Sequence, residues 1–174
     1  GLDYEYRRFY SAYDRIEDTT AFEPLRDLVE NIYTNEYLET LLPKWNSAMQ
    51  EPDAFTQLPL QRDFYARIVK NAKERTVVII SDAMRYEVGK ELFHRMQDDP
   101  KCSAKLEVQL SVLPSYTRLG MAALLPHTEL TMTDDFKVLV DGLPCDNLSE
   151  RKTILQKYNA DAVCVQFDSI KSLK

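Results

Sequence analysis

The stretch Val77-Val78-Ile79-Ile80-Ser81-Asp82-Ala83-Met84-Arg85-Tyr86-Glu87 decides how this chain reads, because an unbroken β-branched run stops at a carboxylate and a helix-like pattern follows at once. Continuous apolar runs mark strands buried on both faces of a parallel sheet, and open α/β sheets bind ligands beyond the carboxyl ends of their strands. The pattern therefore predicts a strand over 77–80 that delivers Asp82 to such an end. A second junction, Val112-Leu113-Pro114-Ser115-Tyr116-Thr117-Arg118-Leu119-Gly120-Met121-Ala122-Ala123-Leu124-Leu125-Pro126, sets hydroxyls between a strand and a short apolar helix. A carboxylate and a hydroxyl at neighbouring strand ends point to metal-assisted phosphoryl chemistry.

From Thr76 onward the rhythm alternates between strand and helix. A helix is striped by Met84, Val88, Leu92 and Met96, and an alternating strand follows over 106–112. A short helix over 117–125 is closed by Pro126; a strand over 136–140 ends at Asp141-Gly142; a helix spans 149–158, and a last buried strand over 162–167 ends at Asp168. This alternation predicts an α/β domain over 76–174 whose mainly parallel sheet carries flanking helices and leaves an exposed edge open to self-association.

Residues 1–75 read instead as an N-terminal helical arm. Leu2, Tyr6, Phe9, Tyr13 and Ile16 form one helical stripe, Asp18-Thr19-Thr20 a stop and cap, and Phe22, Leu25, Val29, Ile32 and Tyr33 a second stripe. Tyr37, Leu38, Leu41, Leu42, Trp45 and Met49 extend that stripe across Pro43, a candidate kink. A loop at Glu51-Pro52-Asp53 precedes a further helix bearing Leu60, Phe64, Ile68 and Ala72.

The chain's 174 residues, 44% of them hydrophobic, suffice for one good core, or one core and an arm. A net charge of −6 offers no general attraction to nucleic acid or an anionic membrane, so contact with any polyanion requires a local basic patch. No apolar run reaches the ~20 residues of a membrane span and no signal-peptide core is present, which predicts a cytoplasmic protein. Cys102, Cys145 and Cys164 lack paired spacing and read as reduced thiols. Gly1 where an initiator Met would stand, and an end at Lys174 just after a predicted strand, suggest a piece of a longer protein.

Each candidate residue has a plain structural reading beside the chemical one. Asp82 could cap the following helix or ligate a metal; Ser115 or Thr117 could cap the next helix, or Thr117 could act as a nucleophile activated by a divalent cation. Arg85, Glu87 and Arg118 could form ion pairs, or they could orient Asp82 and bind a substrate phosphate. Asp141 reads as turn chemistry and Asp168 as a cap. His94 and His127 lack metal-pair spacing, and Gly120 suggests close approach of a ligand or a neighbouring helix.

The strings from Ile80 to Glu87 and from Leu113 to His127 closely resemble the PglZ domain, a branch of the alkaline phosphatase superfamily. Asp141-Gly142 and the Glu150-Arg151-Lys152-Thr153-Ile154-Leu155 helix resemble that family's downstream elements, so the resemblance covers roughly 76–170. It implies a partial alkaline-phosphatase-like core in which Asp82 is a metal ligand and Thr117 the nucleophile or metal-bound hydroxyl, with Arg85 and Arg118 on the phosphate ester substrate. It also implies zinc or another divalent metal in the complete domain, and other components of a BREX-type phage-defence system as partners. The superfamily's remaining Asp and His ligands belong to later strands, so this segment alone is expected to be inactive and to hold metal weakly or not at all. Two other readings compete: a non-catalytic scaffold in a defence complex, and a flavodoxin-like or Rossmann-like binding domain. The latter is weakened by the lack of a phosphate loop after the first strand.

Overall fold

The computed structural model describes residues 1–51 and 54–172. The chain divides into two compact units, one comprising Gly1–Thr56 with Ala83–Glu107, the other Gln57–Asp82 with Val108–Lys174.

The first unit is helical. Helix α1 (Leu2–Tyr13) buries Tyr4 and Tyr13 and stacks Tyr6 on Tyr33 with ring centroids 3.6 Å apart. Asp18 accepts the Thr20 N–H at 3.0 Å, and a 3₁₀ turn (Thr20–Phe22) leads into α2 (Glu23–Asn31). Pro24 lies in the first turn of α2, where its missing N–H has no intrahelical partner to lose. A π-helical segment (Ile32–Leu38) joins α2 to α3 (Glu39–Met49). Pro43 sits inside α3 without ending it, so the departure from α geometry lies upstream of the proline. Of the loop expected at Glu51-Pro52-Asp53, residues 52 and 53 lie outside the described residues. Helix α4 (Tyr86–Gln97) completes the unit.

In the second unit, 3₁₀ (Gln61–Asp63) and π-helical (Tyr65–Val69) turns replace the regular helix expected near Leu60 to Ala72. Helix α5 (Thr117–Ala123) packs on a three-stranded sheet of order β1-β2-β3, formed by Leu130–Met132, Val138–Val140 and Leu143–Pro144. Helix α6 (Leu148–Gln156) starts from a capping box in which Asn147 and Glu150 each accept the other's backbone N–H. The core joins Leu119, Ala122 and Leu125 to Val138, Val140, Cys145 and Ile154. Burial pushes the Cys145 thiol above its ordinary range, in keeping with a packed and unreactive side chain.

The mainly parallel sheet does not form: both strand pairings in this sheet are antiparallel. Residues 77–80 lie in no strand, with Val77 74% and Ile79 78% exposed. The strand expected over 106–112 reduces to one parallel bridge between Leu110 and Leu60, and 162–167 contains no strand. The reason for the antiparallel return is local. Asp141 and Gly142 have φ of 50° and 76°, and Val140 pairs with Leu143 across this two-residue loop. Two successive left-handed residues make the turn whose twist suits a hairpin, so the chain folds straight back instead of crossing over to a parallel neighbour. Phe136, at φ 60°, supplies the left-handed position of the β1–β2 loop, where Thr133 N–H bonds the Lys137 carbonyl at 2.9 Å.

Ile154→Ala should destabilise the second unit by about 3 kcal/mol in urea unfolding, since the side chain is 2% exposed and its removal leaves a cavity. Asp141→Ala should cost about 1 kcal/mol by the same measurement, because the carboxylate accepts the Thr128 and Glu129 N–H groups at 2.9 and 2.7 Å. Asn at this position keeps both an acceptor and the left-handed backbone, so Asp141→Asn should cost less. Those backbone donors hold the Asp141 carboxyl below its ordinary pKa of 3.8. A depressed folded-state pKa gives stability that is present above the unfolded value and lost as pH falls through the folded one. Wild-type stability should therefore fall more steeply than that of Asp141→Asn as the solution is acidified from pH ~5 toward pH ~2, and equal slopes would refute the assignment.

Candidate functional site

Asp82 and Thr117 belong to the same compact unit. Asp82 lies in an exposed turn whose next residue, Ala83, has φ 55°. It is not the cap of the helix that follows: the N-cap of α4 is Arg85, with extended backbone at φ −76°, ψ 154°. Thr117 is the first residue of α5 rather than its cap. That position belongs to Tyr116, at φ −127°, ψ 125°, and no side chain makes the capping hydrogen bond. Neither plain capping role suggested by the sequence is thus the one adopted by Asp82, Ser115 or Thr117. Thr117 is exposed, and its attachment to α5 is rigid because Leu119, Ala122 and Leu125 anchor that segment in the core.

The arginines have different surroundings. Arg118 is exposed and reaches Asp146 at 3.8 Å, an ion pair with little hold on either side chain. Arg85, in the helical unit, meets Glu87 at 3.7 Å. Gly120 is approached by the Gln61 amide: a Cβ at that glycine would lie 3.5 Å from Gln61 Nε2, an ordinary contact. Gln61 ties its unit together by donating to the Gly120 carbonyl at 3.3 Å and accepting the Val112 N–H at 3.2 Å. The close neighbour of Gly120 is therefore this side chain. Asp141 serves its turn, as its sequence context predicts, and His127 uses Nδ1–H to donate to the Leu125 carbonyl at 2.7 Å.

As oxygen donors, the Asp82 carboxylate and the Thr117 hydroxyl suit a divalent cation. Among the described residues, no group of three or more His, Cys, Asp or Glu side chains is placed to hold a metal, so the donors present amount at most to part of a site. Among the described residues, too, no helix is long and apolar enough to cross a membrane.

Sequence reading passed over two features of the helical unit. Tyr6 and Tyr10 both donate to the Glu30 carboxylate, and Tyr33 donates to Asp3 at 2.5 Å, which pushes the Tyr33 phenol up to about 12 and the Asp3 carboxyl below its usual range. The second is an arginine-lined cleft between α1 and α4. Its members are far apart in the chain and carry no joint motif, so composition alone could not have found it.

Comparison with known proteins places this architecture in a family. Residues 62–174 match the family model described as PglZ, the BREX system PglZ alkaline phosphatase-like domain. The alkaline phosphatase-like protein PglZ of Bacillus cereus (strain H3081.97) is 41% identical over 179 residues, covering 99% of this chain and 21% of that protein. The alkaline phosphatase-like protein BrxZ of Escherichia coli O9:H4 (strain HS) is 36% identical over 176 residues, covering 93% of this chain and 20% of that protein. The chain therefore spans about a fifth of the length of these curated relatives. No solved structure matches it significantly. The two strand-to-helix junctions quoted from the sequence fall inside the matched segment, and the chain belongs to the PglZ family of BREX-system alkaline phosphatase-like domains.

Proposed function

We propose that this chain contributes the front part of a metal-dependent phosphohydrolase acting on phosphomonoesters or phosphodiesters in phage defence. The observation that carries the reading is that Asp82 and Thr117 lie in the same unit and within the segment similar to the BREX-system alkaline phosphatase-like domain, Thr117 exposed at the head of a helix anchored in the core. In this proposal Asp82 is a ligand of zinc or another divalent ion, and Thr117 is the nucleophile or metal-bound hydroxyl. When bound, the ion would acidify the hydroxyl and offset the charge developing on phosphate. Arg118, loosely paired at 3.8 Å, can turn from Asp146 to a substrate phosphate, and Arg85 is assigned the same class of contact. The catalytic domain is taken to begin near residue 76, with 1–75 as a helical arm. A cytoplasmic location, other defence components as partners, and self-association through an exposed edge complete the proposal. The family membership and the names of the relatives support the defence context.

In a full-length protein carrying this segment, Asp82→Ala and Thr117→Ala should each lower divalent-dependent hydrolysis of bis(p-nitrophenyl) phosphate or p-nitrophenyl phosphate by about 10³-fold or more. A full-length protein that hydrolyses either ester and is indifferent to both changes would refute the assignment. One whose purified form hydrolyses neither ester with zinc, manganese or magnesium would favour a scaffold. Arg118→Ala should separate binding from folding: stability should move by less than about 0.5 kcal/mol, as expected for an exposed pair, whereas KM rises. An unchanged KM would remove Arg118 from the site.

A further inference from the structure

We propose that Gln61 is the positioning residue for Thr117, holding the loop that presents its hydroxyl through the two ends of one side-chain amide. The inference rests on the reading of Thr117 as the reacting group and adds to it a residue that lies just before the segment matched to the family model. Gln61 Oε1 accepts the Val112 N–H at 3.2 Å, and Nε2 donates to the Gly120 carbonyl at 3.3 Å. Val112 and Gly120 bracket Leu113-Pro114-Ser115-Tyr116-Thr117, so the amide grips this loop before it begins and almost one helical turn after it ends.

The clamp is fixed at each of its joints. The main chain of Gln61 is itself tied down, since its N–H donates to the Leu110 carbonyl at 2.8 Å while the Leu110 N–H donates to the Pro59 carbonyl at 2.8 Å. At the far end the Gly120 carbonyl is open to a donor from outside the helix: α5 ends at Ala123, and the Leu124 N–H bonds the Met121 carbonyl at 3.3 Å instead of reaching back four residues. A primary amide carries a donor and an acceptor on one planar group, so one orientation satisfies both partners, whereas the flipped one would set oxygen against oxygen and N–H against N–H. Glutamate has the same shape, but when ionised it can take only the Val112 N–H and turns a lone pair on the Gly120 carbonyl.

Packing alone does not supply this constraint. Leu119, Ala122 and Leu125 hold α5 in the core through apolar contact, which is non-directional and opposes sliding along the interface only weakly. Hydrogen bonds are directional. The two made by Gln61 set where the first turn of α5 lies relative to Val112, and Thr117 stands at the head of that turn. Such placement matters for attack on phosphorus, because a displacement of ~1 Å at a reacting group can cost about 10²-fold in rate.

Backbone NMR relaxation of the 174-residue chain and steady-state kinetics of a full-length protein carrying it together test the proposal. In the chain, Gln61→Glu should lower the order parameters of Ser115, Tyr116 and Thr117 from about 0.85 toward about 0.6, whereas Val138–Val140 of β2 should keep theirs. Gln61→Met, similar in length and uncharged, should give the same local loosening, which separates loss of the hydrogen bonds from the effect of a new charge. In the full-length protein either change should lower kcat for p-nitrophenyl phosphate or bis(p-nitrophenyl) phosphate by about tenfold, with KM within about twofold of wild type. Gln156→Ala, which removes an amide bonded to the Ala160 and Ala162 carbonyls in the same unit, should alter neither readout. Unchanged order parameters at 115–117, an equal loss of order throughout β2, or a change in KM alone would overturn the proposal. A wild-type full-length protein that hydrolyses neither ester would defeat the hydrolase reading, and the order parameters would then decide by themselves whether Gln61 positions Thr117.

Discussion

The second unit hangs on the left-handed turn at Asp141 and Gly142. Most L-residues resist positive φ because Cβ crowds the backbone, whereas glycine has no Cβ and a short polar side chain can compensate by bonding locally. Asp141 compensates through its carboxylate, which takes the N–H groups of Thr128 and Glu129 just before β1 and lies 3.4 Å from the Tyr158 hydroxyl after α6. One side chain thus fastens the approach to β1, the β2–β3 hairpin and the exit of α6. With β2 held between its neighbours, Val138 and Val140 form the floor on which Leu119 and Ala122 of α5 rest. The position of Thr117 at the head of α5 follows from that packing.

Most of the helices were legible in the sequence and most of the strands were not. The stripes of α1, α2 and α4 require only that apolar residues recur every three or four positions, information carried within a dozen residues. Strand order depends on partners elsewhere in the chain. The run at 77–80 has every local property of a buried strand, yet Val77 and Ile79 are largely exposed, because β-propensity describes a fit to a pleated neighbour and not a neighbour in itself. The Asp141-Gly142 pair did hold the deciding signal. Reading it as the end of a parallel strand overlooked that this dipeptide, between apolar residues, favours an immediate antiparallel return.

The candidate site divides in the same way. Its residues were found in sequence because two junction motifs are contiguous and resemble a family's own, and the family assignment stands on a match over 62–174. The capping geometry was not legible: that Arg85 and Tyr116, and not Asp82 and Thr117, occupy the N-cap positions depends on where each helix begins, a boundary that sequence patterns locate poorly. The arginine cleft was invisible for a different reason. Its arginines come together only when α1 and α4 lie side by side, whereas in the chain they are far apart and share no motif.

Exposure of the 77–80 run bears directly on Asp82. A side chain at the end of a paired strand inherits the strand's rigidity, and sites built on such elements hold their geometry more closely than sites on loops. Asp82 follows a segment that is in no strand and precedes a left-handed Ala83. Thr117, by contrast, is fixed through α5 to the most buried part of its unit. The two oxygen donors thus differ in what holds them: packing sets one, and strand pairing would set the other. Any interaction that pairs residues 77–80 would bury four β-branched side chains and narrow the range of positions open to Asp82.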